Sequence, residues 1–383
     1  MKQIPSLAGQ LKEYDAGMAV FPLLVEPVDY RACKWDLLVE DVGRDYWLAL
    51  FRRHFPSLLA MAVEAEMDRG RTELEARKLT DDAHALFCGY LDELTSDPGR
   101  YGRLDILTIC HQRELVLRHV GIDDPYRLAK QRANEQSLLL LPDLLARLDT
   151  MSVELRRVLL IEGIFAGNIF DLGATETVAM FQNNTIDFQS TRSRLKHRPW
   201  FMDDLDAWLH RLDERVYRSA ILFVDNSGPD IVLGMIPFTR ELIRQGSRVV
   251  LTANSKPSLN DITHDELVVL MQRVADMDPI VDGGLSDGHL MLIPSGNWAP
   301  LIDLSRVSTE LAQVAACEPV DLVVLEGMGR AIETNYDAKL TCDTLKIAMI
   351  KDRGVADALG ADLFDLVLRF EQVLGIKTVC SCT

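Results

Sequence analysis

Asp225 and Asn226 follow the apolar run ILFV directly, in the stretch ILFVDNSGPD at residues 221–230. An acid and an amide at the exit of a buried strand read first as turn residues, which let a chain leave a sheet. They also put two oxygen donors where α/β sheets bind their ligands. Later apolar runs end in polar groups too. Asn254 and Ser255 close the second, Ser295, Gly296 and Asn297 the third, Glu326 to Arg330 the fourth, and Lys351 with Asp352 the fifth. Each end alone reads as a loop. Parallel strands would bring all five to one rim, whatever their separation in sequence.

A rim of Asp, Asn and further carboxylates without His or Cys suits a hard, oxygen-liking divalent ion, Mg²⁺ or Mn²⁺, and leaves room for Co²⁺ or Ni²⁺. A further carboxylate is available from Asp261 in SKPSLNDITHDE, 255–266. The alternative for Asp261 is a helix N-terminal acid favoured by dipole and cap, since Thr263 and Glu266 have capping-box spacing. Spacing leaves both readings open. Gly327, Met328, Gly329 and Arg330 begin like a dinucleotide loop, but Ile332 replaces the third glycine of GxGxxG. Close backbone approach to a phosphate at Gly327 and Gly329, with Arg330 as a charged fork, accounts for the same residues. The chain has no GxxxxGK[ST], no GxSxG and no HExxH, which argues against P-loop, acyl-hydrolase and zincin chemistry.

Phosphoryl chemistry fits what remains. A cation between carboxylates polarises a phosphate oxygen and acidifies a water, while Arg330 and Lys351 offset the charge on the phosphoryl group. Glu326 would orient a partner or assist proton transfer. Ser227, Gly228, Asn254, Gly327 and Gly329 are expected on the substrate side. Asn168 and Asp171 in AGNIFD share a face if helical, and join them; the alternative is a solvated or capping pair. Lys130, Arg132, Asn134 and Glu135 read as a charged, solvated helix face. Two rivals stand beside the metallophosphatase. One uses Asp225 as a covalent nucleophile, as haloacid-dehalogenase-type phosphatases do, although Ser227 occupies the place of their second Asp. The other is a catalytically silent phosphometabolite-binding protein.

The elements that position these residues follow two patterns. Up to about residue 215 the apolar spacing is helical: a segment over 46–77 broken near Pro56, a short helix over 81–95, one over 124–148 interrupted at Pro142, and one over 155–173, with no clear strand. From 216, β-type runs at 221–224, 247–253, 289–294, 321–326, 345–351 and 362–371 alternate with helical segments. That alternation predicts parallel pairing through crossovers in a doubly wound, three-layer α/β/α domain of five or six strands. The expected organisation is an α-helical domain over 1–215 and a Rossmann-like, metal-binding domain over 216–383.

With 41 basic and 58 acidic residues, the 383-residue chain has a net charge of −17. Such a field disfavours a nucleic-acid partner, and any anionic substrate needs local Arg, Lys, a cation or helix N-termini. No apolar segment reaches the roughly 20 residues that span a bilayer, and the N-terminus lacks a signal core, so a cytoplasmic protein without a membrane partner is expected. Seven scattered cysteines do not form a disulfide framework. The Cys380–Cys382 pair reads as a frayed tail. A homodimer is the default assembly.

FVDNSGPDIVLGMIPFTREL, ANSKPSLNDITHDE and LEGMGRAIETNYDA together resemble the metal-dependent damage-control phosphatase family, in its branch containing the C-terminal domain of pantothenate kinase 4. DPYRLAKQRANE, FAGNIFDLG and MDPIV extend the resemblance from about residue 45 onward, and EGMGR at 326–330 matches the branch's signature. The resemblance implies a helical domain over a Rossmann-like one, with a divalent metal held by Asp225, Asn226 and Asp261. It also implies hydrolysis of a small phosphometabolite, 4'-phosphopantetheine or its oxidised forms; other branches act on sugar phosphates.

Overall fold

The computed structural model describes residues 17–169 and 195–373. After a two-residue strand β1 (Met18–Ala19) come five helices, α1 (Asp41–Asp68), α2 (Glu73–Ser96), α3 (Ile106–Val120), α4 (Arg127–Asp149) and α5 (Val153–Ile169). The remainder alternates: β2 (Met202–Asp203), α6 (Leu205–Glu214), β3 (Ser219–Phe223), a π-helical turn over Asp230–Met235, α7 (Ile236–Arg244), β4 (Arg248–Ala253), α8 (His264–Ala275) and α9 (Pro279–Asp287). Then follow β5 (Leu290–Pro294), β6 (Val307–Ser308), α10 (Thr309–Cys317), β7 (Leu322–Glu326), a second π-helical turn over Met328–Thr334, β8 (Asp343–Met349), α11 (Arg353–Leu359) and β9 (Leu366–Glu371). Among the described residues no helix is long and apolar enough to cross a membrane.

Seven strands form one sheet in the order β2-β9-β8-β7-β3-β4-β5. All neighbours are parallel except β8 and β9, which pair antiparallel. The mainly parallel α/β architecture is as expected; the seventh strand and the antiparallel pair are not. β2 is only two residues long and β1 pairs with β6 in a separate ribbon. Neither short strand has enough residues to display a period of two, so helical spacing masked both.

The central strands are buried on both sides. On β3, Ile221 and Phe223 join one hydrophobic cluster with Phe51, Phe87 and Ile109 of α1, α2 and α3, while Ala220 and Leu222 join the opposite cluster with Leu141, Ile161 and Leu267 of α4, α5 and α8. Burying a side chain such as Leu222 or Ile221 fully is worth roughly 1.5–3 kcal/mol. The same burial carries two helices through prolines that were expected to break them. α1 continues past Pro56 and α4 past Pro142. Proline costs an interior helix about 3 kcal/mol, and residues such as Phe51, Phe55 and Leu58, all buried along α1, outweigh that. α2 starts earlier than the spacing suggested because Thr72 and Glu75 form a complete capping box.

From β3 the chain runs outward to β4 and β5, and it returns on the other side of β3 as β7 and β8. The β3/β7 boundary is therefore the topological switch point, where an open α/β sheet leaves a crevice beyond its strand ends.

Candidate active site

The residues leaving β3 and β7 meet in that crevice. The Asp225 N–H donates to Glu326 Oε2 at 2.9 Å, a bond across the switch point that joins the first residue of the DNSG turn to the last residue of β7. The turn is also laced to the loop after β4. Asn226 and Asp261 form an antiparallel bridge, the Ile262 N–H donates to the Asp225 carbonyl at 3.0 Å, and the Ser227 N–H donates to the Asn260 carbonyl at 2.9 Å. Thr263 and Glu266 do cap α8. Asp261 lies outside that cap and is 2% exposed, its Oδ2 accepting from Asn254 Nδ2 at 2.8 Å and from Arg330 Nη2 at 2.9 Å. Asp225, Asn226 and Asp261 thus converge, 36 positions apart at most in sequence.

Arg330 is 1% exposed and also ion-pairs with Asp225, so its guanidinium bridges the two aspartates. The Gly327 backbone makes this approach feasible. Its φ is +95°, and a Cβ there would overlap the Asp225 carboxylate and stand 2.9 Å from the Asp225 Cβ. Asn168, at the end of α5, ties the other side together. Its Nδ2 donates to Glu326 Oε1 at 2.9 Å and to Asp230 Oδ2 at 3.1 Å, while its carbonyl accepts from Lys351 Nζ at 2.9 Å. Asp230 is a participant that the sequence reading left unassigned. It also accepts from Asn226 Nδ2 at 2.8 Å. Its signal was present in DNSGPD, five positions after Asp225.

Asp225, Asp230 and Glu326 bring carboxylate oxygens within 4.8 Å of one another, all three buried. Burial first, and the Asp230 charge second, push the Glu326 carboxyl well above the usual carboxylate range. With Asp261 the group holds four carboxylates against the two cations Arg330 and Lys351, all buried. Fully ionised, it carries two negative charges in excess. A divalent cation cancels that excess and finds only oxygen donors among the acids, so the donor set fits a hard metal ion.

A cavity of about 310 Å³ opens against this cluster, within the range of small-molecule sites. Asp225, Asn226, Asp261, Gly329 and Lys351 line it at one end, and Trp47, Phe51, Phe55, Leu58, Ile106 and Leu301 supply apolar wall from the helices and the β5–β6 connection. Glu326, Arg330, Asn168, Asn254, Ser227, Gly228 and Gly327 lie behind the wall rather than in it. Asp171 falls outside the described residues, as do Cys380 and Cys382.

The helix face 130–135 differs from its sequence reading in two residues. Lys130 is 1% exposed, not solvated, and pairs with Asp124 and Glu266 at 2.9 and 2.8 Å. Burial pulls its ammonium down, but the two carboxylates outweigh this and hold it above its usual value. Its Nζ also reaches the Asp261 carbonyl at 3.4 Å. One turn later Asn134 Oδ1 accepts from the Gly228 N–H at 2.6 Å. α4 therefore holds both loops, a role visible only once Asp124 and Glu266 are known to face it. Arg132 and Glu135 are exposed, as expected.

The family description "Damage-control phosphatase ARMT1-like domain" matches residues 51–367. A damage-control phosphatase of Arabidopsis thaliana is 37% identical over 94% of this chain and 99% of its own length. The 4'-phosphopantetheine phosphatase of Mus musculus is 31% identical over 91% of this chain and 48% of its own length. The chain spans about half the length of that mouse protein and of plant relatives named pantothenate kinase 2. A crystal structure of a DUF89 family protein from Pyrococcus horikoshii shares the fold, with a TM-score of 0.58 at 16% identity over 86% of this chain and 98% of that one.

Proposed function

The chain belongs to the damage-control phosphatase ARMT1-like domain family, and from that premise we propose that it is a metal-dependent phosphomonoesterase of a small phosphometabolite. The observation that carries this reading is the convergence of Asp225, Asn226, Asp261 and Lys351 on one end of a cavity at the sheet's switch point. Asp225, Asn226 and Asp261 would hold Mg²⁺, Mn²⁺, Co²⁺ or Ni²⁺. The bound ion would supply Lewis-acid polarisation of a phosphoryl oxygen and an acidified water.

The protein groups divide the remaining work. Lys351, held by the Asn168 carbonyl, faces the cavity and offsets charge on the phosphoryl oxygens. Arg330 neutralises Asp225 and Asp261 from behind and fixes their separation, so its contribution to phosphate binding is indirect. Glu326 anchors the Asp225 backbone and stands beside Asp230. Asn254 holds Asp261, and Ser227 and Gly228 shape the DNSG turn through backbone bonds.

For the leaving group, Trp47, Phe51, Phe55, Leu58 and Leu301 offer apolar contact to an extended chain, and Arg53, His54, Arg113 and Glu333 on the same cavity offer partners for its polar groups. 4'-Phosphopantetheine or an oxidised form is the substrate we favour, in line with the named activity of the mouse relative. The protein would then act on a small phosphorylated metabolite, in the cytoplasm. The test is hydrolysis of p-nitrophenyl phosphate and 4'-phosphopantetheine across a panel of the four ions. Asp225→Ala should abolish turnover of both while keeping a cooperative unfolding transition; near-normal turnover in metal-replete buffer would refute the assignment.

A further inference from the structure

Asn260 stands on the cavity wall between Leu259 and Asp261. It is 2% exposed, and among the described residues its Nδ2 has no hydrogen-bond acceptor. Leaving a buried amide donor unpaired costs about 1–3 kcal/mol. The loop carries a second unfavourable feature beside it, because Leu259 has φ +47°, in the left-handed region that a leucine rarely adopts. The backbone has no freedom to relieve either. The Asn260 carbonyl accepts from the Ser227 N–H at 2.9 Å, and the next residue, Asp261, is bridged to Asn226.

Unpaired buried donors and strained backbone persist where something outside the fold completes them. The cavity that Asn260 lines is beside it, and Asp225, Asn226, Asp261 and Lys351 line it too. We propose that Asn260 is a substrate-binding residue whose carboxamide NH₂ donates to an oxygen of the phosphoryl group seated at that end. A neutral donor suits the position. A cation there, added to Arg330 and Lys351, would compete further with the metal for the same carboxylates, and a further carboxylate would repel the phosphoryl oxygens. The terminal torsion of asparagine is soft, so the amide can follow its acceptor without moving the loop.

The inference rests on the phosphatase reading, and two measurements separate their failures. In Asn260→Ala, the melting temperature should hold or rise, because an unpaired donor is removed. The KM for p-nitrophenyl phosphate and the inhibition constant of inorganic phosphate should both rise about tenfold or more. Asn260→Asp, which places a negative charge at the wall, should raise both at least as far. Asn260→Ala with unchanged KM and phosphate affinity overturns the proposal, and so does a variant that loses stability while phosphate affinity is kept. If the wild-type protein with every ion hydrolyses no ester, the phosphatase reading alone fails. Calorimetric titration with inorganic phosphate then decides Asn260, equal affinity in wild type and Asn260→Ala counting against it.

Discussion

Gly327→Ala is expected to damage the fold and the site through one added methyl group. Gly327 has φ +95° and ψ 150°, a region open in practice only to glycine, and forcing a residue with a Cβ into it costs about 1–3 kcal/mol. The methyl would also overlap the Asp225 carboxylate. Rotating that side chain does not remove the conflict, since the new carbon stands 2.9 Å from the Asp225 Cβ itself. Asp225 must shift bodily, away from Arg330 and from Asn226 Nδ2, which it now accepts at 2.9 Å. Disrupting a buried ion pair costs roughly 3–5 kcal/mol, and the lower end applies because Arg330 keeps Asp261. The sum is about 4–6 kcal/mol, against a total stability of roughly 5–15 kcal/mol for a typical protein. Gly246→Ala is the control: φ is +94° there, but nothing lies within 4 Å of the added carbon, so about 1–3 kcal/mol of strain is all that is expected. Urea denaturation of both variants, with calorimetric titration of Mn²⁺, checks the reasoning. If Gly327→Ala unfolds within about 1 kcal/mol of Gly246→Ala and binds Mn²⁺ as the wild type does, the packing of Gly327 against a metal-binding Asp225 is wrong.

Four further outcomes are expected. Asn134→Ala removes the acceptor of the Gly228 N–H and should weaken Mn²⁺ binding severalfold by calorimetry at a stability cost of about 1–2 kcal/mol; unchanged affinity would mean that α4 does not set the DNSG turn. Lys130→Met leaves Asp124, itself buried, without its ammonium and should cost about 3–5 kcal/mol in denaturant. Adding Asp124→Leu should recover more than half of that, and no recovery would argue against the pair. Mn²⁺ at a hundredfold excess over its Kd should raise stability by about 2.7 kcal/mol, read as a thermal shift that Asp225→Ala abolishes. His111 stacks on Trp298 at 4.1 Å, and burial, with Arg118 second, pulls its pKa down to about 3. The unfolded chain then binds a proton near pH 6.5 that the folded chain refuses, so stability is full above that pH and falls as pH drops towards 3. The ring keeps partial exposure, which reduces the expected loss between pH 7 and 5 to about 1–2 kcal/mol; His111→Phe should flatten that slope, measured by urea unfolding at the two pH values.

The strands were readable because those of a sheet covered on both faces are continuous apolar runs, as in ILFV and DLVVLE, bounded by polar residues. The polar ends that matter follow from the same property, which is why Asp225, Asn226, Glu326 and Lys351 could be picked out before any geometry was known. Asp261 needed more. Its spacing fits a helix start equally well, and what distinguishes it is that α8 is already capped by Thr263, which leaves the Asp261 carboxylate to Arg330 and Asn254.

Sequence by itself determined the alternation of strand and helix, the excess of acid and the chemical type of the strand-end residues, all of which are local. Tertiary structure decided the strand order, and with it the β3/β7 switch point that sets Glu326 against the Asp225 N–H. It also decided that Arg330 lies behind the cavity wall, that Lys130 is buried, and that Asp230 and Asn134 belong to the site. A side chain's type is fixed by the residue, but its partners, and hence its charge and burial, come from segments 100 or more positions away, as Glu326 is from Asp225. No spacing rule within one segment carries that information.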